Sequence, residues 1–207
     1  MIYLKIKNIK NKIKNRIPGP TRIQHYFSVL IPIIEIKGKL NLIYEIRSKN
    51  LNTQPGEISF PGGRVERGED FSQAAIRECS EELLIPESKI ELLGESDYLI
   101  TPFNFVIYAF VAKVKLNSLV ELKVNNSEVE DIFTVPLDFL VNYQVERYQT
   151  ILKSEFDHNF PYNILPAGEN YNPRQGSYDI YIYRYQGKVI WGITAELTKA
   201  FIDILQN

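Results

Sequence analysis

The chain has 207 residues, 44% hydrophobic and 24% charged, an ordinary composition for a globular protein with one well-buried domain. A net charge of −1 argues against nucleic acid polymers as partners. Cys79, the single cysteine, excludes an intramolecular disulfide framework and suits the reducing cytoplasm, His25 and His158 lack zinc-ligand spacing, and no apolar run is long enough to span a membrane.

Before Glu35 there is no acid, and Lys5, Lys7, Lys10, Lys12, Lys14 and Arg16 interleave with Ile2, Ile6, Ile9 and Ile13 at helical spacing. This predicts a basic amphipathic helix and linker over residues 1–20, packed on its own domain or on a partner. A membrane-surface helix or transit peptide would share the pattern, but the serines of a transit peptide and the small-residue cleavage site of a secretory signal are missing. Pro18-Gly19-Pro20 separates this helix from a domain over residues 21–207. Tyr26 to Lys37 and Leu40 to Arg47 read as strands joined around Gly38, and Glu57 to Phe60 as a third extended piece. A helix is expected from Phe71 to Leu83, strands from Ile90 to Leu99 and Phe105 to Val114, then a strand from Glu128 to Val135 and a helix beginning at Leu137. Tyr181, Tyr183 and Tyr185 alternate in a strand that turns at Gln186-Gly187 into Val189-Ile190-Trp191. Thr194 to Leu205 closes as an amphipathic helix with Leu197, Phe201, Ile204 and Leu205 on its apolar side. Mixed strands with helices on either side imply a single α/β sandwich.

The most informative segment runs from the Pro61-Gly62-Gly63 turn into the Phe71 helix. Glu78, Glu81 and Glu82 stand at i, i+3 and i+4 and share one helix face. Like charges one turn apart cost a helix roughly 0.2–0.5 kcal/mol per pair, a term that a divalent cation reverses. Mg²⁺ takes oxygen ligands and keeps waters while touching a substrate phosphate, which carboxylates on one ridge permit. Gly63, Glu69, Arg77, Glu78, Glu81 and Glu82 fall at the spacing G-x5-E-x7-R-E-x2-E-E, which resembles the box of the Nudix hydrolases, enzymes that split diphosphates bonded to a second moiety.

The resemblance implies a Nudix-type α/β/α sandwich with a mixed sheet. It also implies Glu78 and Glu82 as primary ligands for Mg²⁺ or Mn²⁺, and Glu81 as a further ligand or an outer group. Glu69 and Arg77 would have structural roles through a salt bridge between loop and helix, and Gly63 would leave room for the turn. The proton acceptor stays open between Glu78 and an acid outside the box, Glu128 or Glu130. Cys79 stands where the pattern has an apolar residue, so a buried inert thiol is favoured over a reactive one. Leu84 stands where the pattern has glycine, which points to Pro86 as the helix stop.

A second stretch narrows the substrate. Ser48, Gly56 and Phe60-Pro61-Gly62-Gly63 follow S-x7-G-x3-F-P-G-G, which resembles the coenzyme A pyrophosphatase branch, with Ile43, Tyr44, Glu45 and Asn52 departing from its pattern. The implied reaction is cleavage of coenzyme A or acyl-CoA to 4′-phosphopantetheine and adenosine 3′,5′-bisphosphate. Arg47, Ser48, Gly62 and Gly63 are the candidate substrate contacts. Arg47 is balanced between phosphate binding and an ion pair with a box carboxylate, and the tyrosines of residues 181–185 between packing and adenine stacking. The alternatives are a Nudix pyrophosphatase for ADP-ribose, dinucleotides or nucleoside triphosphates, and a non-catalytic Nudix ligand-binding module. The expected partner is a small nucleotide diphosphate, with a homodimer left open.

Overall fold

The apolar run of the first strand is the spine of the fold. In the computed structural model, which describes residues 5–23, 25–116 and 118–207, β1 (His25–Ile36) is largely buried and pairs in parallel with β7 (Phe105–Val114) along most of its length. Its other edge is shared. Phe27 to Val29 pair antiparallel with β4 (Gly62–Arg64), and Ile33 to Ile36 with β2 (Lys39–Arg47), so Pro32, which has no N–H, falls between the two ladders. β3 (Ile58–Ser59) and β8 (Val129–Pro136) pair with β2, while β5 (Ile90–Glu95) and β6 (Leu99–Ile100) pair with β7, giving a mixed sheet of eight strands among the described residues. A second, antiparallel sheet holds β9 (Glu146–Leu152), β10 (Gly176–Tyr185) and β11 (Lys188–Trp191).

Alternation along the strands feeds two cores. Leu30 and Ile34 of β1 and Ile43 of β2 meet Ala75, Cys79 and Leu83 of α2 (Phe71–Leu83) on one face of the large sheet. On the other face Ile31, Ile33, Leu42 and Tyr44 meet Leu140 of α3 (Leu137–Asn142), Leu197 and Phe201 of α4 (Gly192–Gln206), and Tyr183 and Ile190 of the small sheet. Full burial of each such side chain contributes about 1.5–3 kcal/mol, so a strand buried on both faces anchors both layers. Helices lie on either side of a mixed sheet, the expected α/β sandwich.

Several expectations need correction. The Ile90 to Leu99 strand breaks in two, because the register slips between Leu92 and Gly94 and the chain leaves the sheet after Glu95. β9 is absent from the sequence reading; its mostly exposed face gives little alternating signal. α4 forms, but Ile204 and Leu205 near its end are exposed. The basic N-terminal helix exists as α1 (Ile6–Lys14), yet none of its residues is buried, and Ile6 and Ile13 are 80% and 63% exposed. In this structure the described residues of the helix do not pack on the domain; Ile2 of the same stripe lies outside the described residues.

Candidate active site

The site grows from the β4 turn and the helix that follows it. At Gly62 a β-carbon would collide with the Ser28 carbonyl and with Val29 of β1, and at Gly63 it would overlap the Glu78 carboxylate. Gly62 is therefore required by close approach to backbone rather than by its dihedrals, whereas at Gly63 a β-carbon would force the Glu78 carboxylate to move. α2 starts at Asp70, whose carboxylate accepts from the Ser72 hydroxyl at 2.6 Å and from the Ser72 N–H at 2.9 Å; these bonds hold its carboxyl below the usual range. It does not run on to Pro86. Leu84 adopts a left-handed conformation (φ 48°, ψ 44°), and the Leu84 and Ile85 N–H groups both donate to the Ser80 carbonyl, so the cap geometry expected of glycine forms without one.

Arg77 ties loop and helix together. Its Nε donates to Glu69 Oε1 at 2.8 Å and its Nη2 to Glu69 Oε2 at 3.2 Å, while Nη1 reaches Glu78 Oε1 at 2.7 Å and Glu81 Oε2 at 3.2 Å. Glu69 also accepts from the Glu66 N–H at 2.9 Å, closing the loop on itself. The guanidinium thus links Glu69 to two of the three box carboxylates, Glu81 being the exposed one.

Glu82, the third, is 3% exposed and accepts from the Gly62 N–H at 2.8 Å. Burial, then the charge of Glu45, push its carboxyl up to about 9 against that hydrogen bond. Glu78 is raised in the same direction, chiefly by burial, with Arg77 opposing. Glu128 leads into β8, where its backbone carbonyl accepts from the Ser48 N–H at 2.8 Å, and its charge raises Glu45, Glu78 and Glu82 together. Glu130 points elsewhere. It is ion-paired with Lys49 at 2.6 Å on the surface, so of the two acids weighed outside the box only Glu128 acts on the box carboxylates.

Glu45 is the residue that the sequence reading missed. It stands in β2 opposite Ser59 of β3, 1% exposed, and its Oε1 accepts from the Ser59 hydroxyl at 2.7 Å while Oε2 is buried with no hydrogen-bond partner. Burial raises this carboxyl, with Ser59 and Arg47 opposing. Its signal in the sequence is one acid inside the apolar run Leu42 to Ile46, a position that needs a compensating partner.

Arg47 makes no ion pair with a box carboxylate among the described residues. Its Nη2 reaches the Thr53 carbonyl at 3.4 Å and its Nε is buried without a partner, so the structural ion-pair reading is set aside. It lines a cavity of about 720 Å³, whose wall also includes Gly62, Gly63, Phe103, Phe105 and Trp191. The box carboxylates are outside that wall, and the cavity meets the box at its two glycines. Ser48 is outside it too. Buried, it accepts from the Asn50 N–H at 3.4 Å and holds a turn. The tyrosines of β10 pack: Tyr183 is 1% exposed beside Tyr143, Tyr185 lies against Phe139, and Tyr181 is partly buried against the same core. Cys79 is buried with its thiol pushed up, chiefly by burial, which makes it inert.

Among the described residues no three acidic, histidine or cysteine side chains are gathered in coordination geometry, because Arg77 holds Glu78 and Glu81 while Gly62 holds Glu82. The donor chemistry nevertheless fits a hard divalent cation. Every candidate is a carboxylate, two of them are buried and raised, and one buried oxygen, Glu45 Oε2, has no partner at all.

The family model for the NUDIX domain matches residues 25–154, a span that contains β1, the glycine turn, α2 and Glu128. The chain belongs to the Nudix family. Among Nudix relatives it is 34% identical over 167 residues to the mouse peroxisomal coenzyme A diphosphatase NUDT7, covering 73% of this chain and 66% of that protein. It is 32% identical over 158 residues to Nudix hydrolase 3 of Caenorhabditis elegans, covering 67% and 63%. The chain therefore spans slightly less than two thirds of the length of these two relatives. A Photorhabdus laumondii protein named as an uncharacterized Nudix hydrolase, NudL, is 26% identical over 94% of both chains. The crystal structure of a MutT/nudix family protein from Enterococcus faecalis aligns with a TM-score of 0.50 at 14% identity, over 99% of this chain and 71% of that one, a likeness of fold alone. Nudix hydrolases act on small nucleotide diphosphates and generally use divalent metals such as Mg²⁺ or Mn²⁺. No helix among the described residues is long and apolar enough to cross a membrane.

Proposed function

We propose that this Nudix hydrolase cleaves the diphosphate of coenzyme A or acyl-CoA, giving 4′-phosphopantetheine and adenosine 3′,5′-bisphosphate. The observation that carries the reading is the segment from Arg47 to Gly63. It lines a mostly apolar cavity with the box glycines and with Arg47, whose guanidinium Nε has no partner. A substrate with several phosphates and a long, weakly polar arm matches such a wall, since a guanidinium fork suits phosphate oxygens and apolar side chains suit the arm. The named activity of the mouse relative supports the same choice.

Glu78 and Glu82, with Glu81 beside them, would hold Mg²⁺ or Mn²⁺. When bound, the ion neutralises phosphate charge and makes a coordinated water more acidic. The chain's own groups do the rest. Arg47 binds and orients phosphate oxygens, Gly63 keeps the Glu78 carboxylate against the turn, and Arg77 fixes the loop through Glu69. Glu128 is the preferred proton acceptor, with Glu78 the alternative, as water attacks one phosphorus, the bond from that phosphorus to the bridging oxygen breaks, and the other half of the substrate leaves as its phosphate monoester. The cytoplasm is the compartment that an inert lone thiol suits.

A substrate panel tests the assignment. Coenzyme A and acetyl-coenzyme A are expected to be hydrolysed with higher kcat/KM than ADP-ribose or NADH in Mg²⁺ or Mn²⁺. If ADP-ribose is the better substrate under matched conditions, the coenzyme A assignment is wrong and only the Nudix chemistry stands. If none of the four is turned over in either metal, the coenzyme A assignment falls, and nucleoside triphosphates are the next substrates to try before the binding-module reading is taken up.

A further inference from the structure

We propose that Glu45 is a fourth carboxylate of the metal site, with the Ser59 hydroxyl as the group that positions it. The inference rests on the metal-dependent reading above and extends it to a residue outside the box.

One four-residue segment, Ser59 to Gly62, holds both of the buried carboxylates. At its start the Ser59 hydroxyl donates to Glu45 Oε1 at 2.7 Å, and at its end the Gly62 N–H donates to Glu82 Oε2 at 2.8 Å. The two acids come from opposite sides of one interface. Two residues before Glu45 in β2, Ile43 packs in the core that α2 fills with Cys79, three residues before Glu82. Glu45 and Ile43 share a strand face by the two-residue period, so Glu45 points toward the helix that carries the box.

What remains is the free oxygen. Buried polar atoms are almost always bonded, and a carboxylate left with one oxygen unpaired in the interior is costly. Ser59 uses Oε1 and fixes the plane of the group, which leaves Oε2 to be satisfied by something the chain does not provide. A hard cation held by Glu78 and Glu82 would satisfy it. Each carboxylate that ligates a metal is commonly itself held by an outer hydrogen bond, the place that Ser59 takes here.

The test is Mn²⁺ binding to the full chain, followed by electron paramagnetic resonance and calorimetry, with thermal melting in chelator as the fold control. Glu45→Gln is expected to keep the Ser59 bond and melt no lower than the wild type in chelator, yet bind Mn²⁺ about 10- to 100-fold more weakly; Ser59→Ala should lose affinity in the same direction. Glu82→Gln serves as the box reference. If the wild type binds Mn²⁺ and Glu82→Gln weakens it while Glu45→Gln and Ser59→Ala bind like the wild type, Glu45 is outside the site and the box assignment survives. If Glu45→Gln does not fold, Ser59→Ala decides, and unchanged affinity there overturns the proposal. If the wild type itself does not bind Mn²⁺, this inference and the metal-dependent reading fall together.

Discussion

The Glu78 carboxylate lies directly over the α-carbon of Gly63, so close that a β-carbon there would overlap it. The glycine of the turn is thus a contact surface for the carboxylate, and turn and helix are one unit. Gly63→Ala is expected to displace Glu78 and lower kcat by about 100-fold or more, since shifts near 1 Å in a catalytic group cost that much. Circular dichroism should report an intact fold. Near-normal turnover would mean that the placement of Glu78 is not needed for the chemistry.

Glu82→Gln is nearly isosteric and can still accept from the Gly62 N–H, so the fold should persist. Activity should drop by at least about 100-fold, in line with the loss expected for disrupting a metal site. Steady-state kinetics at saturating Mg²⁺ settle it; turnover close to wild type would remove Glu82 from the ligand set.

Glu82 and Glu45 are both raised by burial, so in chelator the folded chain keeps a proton that the unfolded chain has lost. Stability of the metal-free protein is therefore full below the ordinary carboxylate range and declines as pH rises toward about 9, the value for Glu82. Stabilisation by Mg²⁺ should grow over the same interval, because the ion displaces that proton. Melting curves from pH 5 to 9, with and without Mg²⁺, check both trends. A metal-free melting temperature that climbs across this range would contradict the burial of protonated carboxylates.

Arg47→Ala should lower kcat/KM for coenzyme A by about 1.5–3 kcal/mol, the range for a hydrogen bond to a charged group. Lysine at the same place should recover only part of that loss, because it lacks the planar fork. An unchanged kcat/KM for both variants would place the phosphates elsewhere.

Because no residue of α1 is buried, deleting residues 1–16 should shift the melting temperature by less than about 2 °C, under ~1 kcal/mol for a chain of this size, and leave turnover intact. A larger drop would show that the helix packs on the domain in solution.

Much of the site was legible because its residues are fixed by local geometry. The carboxylate ridge and the start of α2 follow from spacing and the Asp70 cap, and the limits of β7 from its apolar run, whereas the left-handed stop at Leu84 was hidden by the missing glycine. Glu45 was not legible as a site residue, since its burial depends on Ser59 of β3 and on α2, neither of which its local sequence names. Glu130 looked equivalent to Glu128. What separates them is that Glu128 precedes β8 while Glu130 lies within it, paired with Lys49 on the surface. For α1 the amphipathic pattern gave the helix correctly, but a periodic stripe carries no information on what, if anything, covers it.

The left-handed Leu84 has a practical consequence for engineering. Such a conformation costs a side-chain-bearing residue roughly 1–2 kcal/mol, and the two bonds to the Ser80 carbonyl hold it regardless of residue type. Because Leu84 is exposed, glycine there would release that strain without opening a void, offset in part by the greater freedom it gives the unfolded chain. Position 84 is therefore a place where thermal tolerance can be adjusted without touching the chemistry, and a library aimed at a hardier catalyst would begin there.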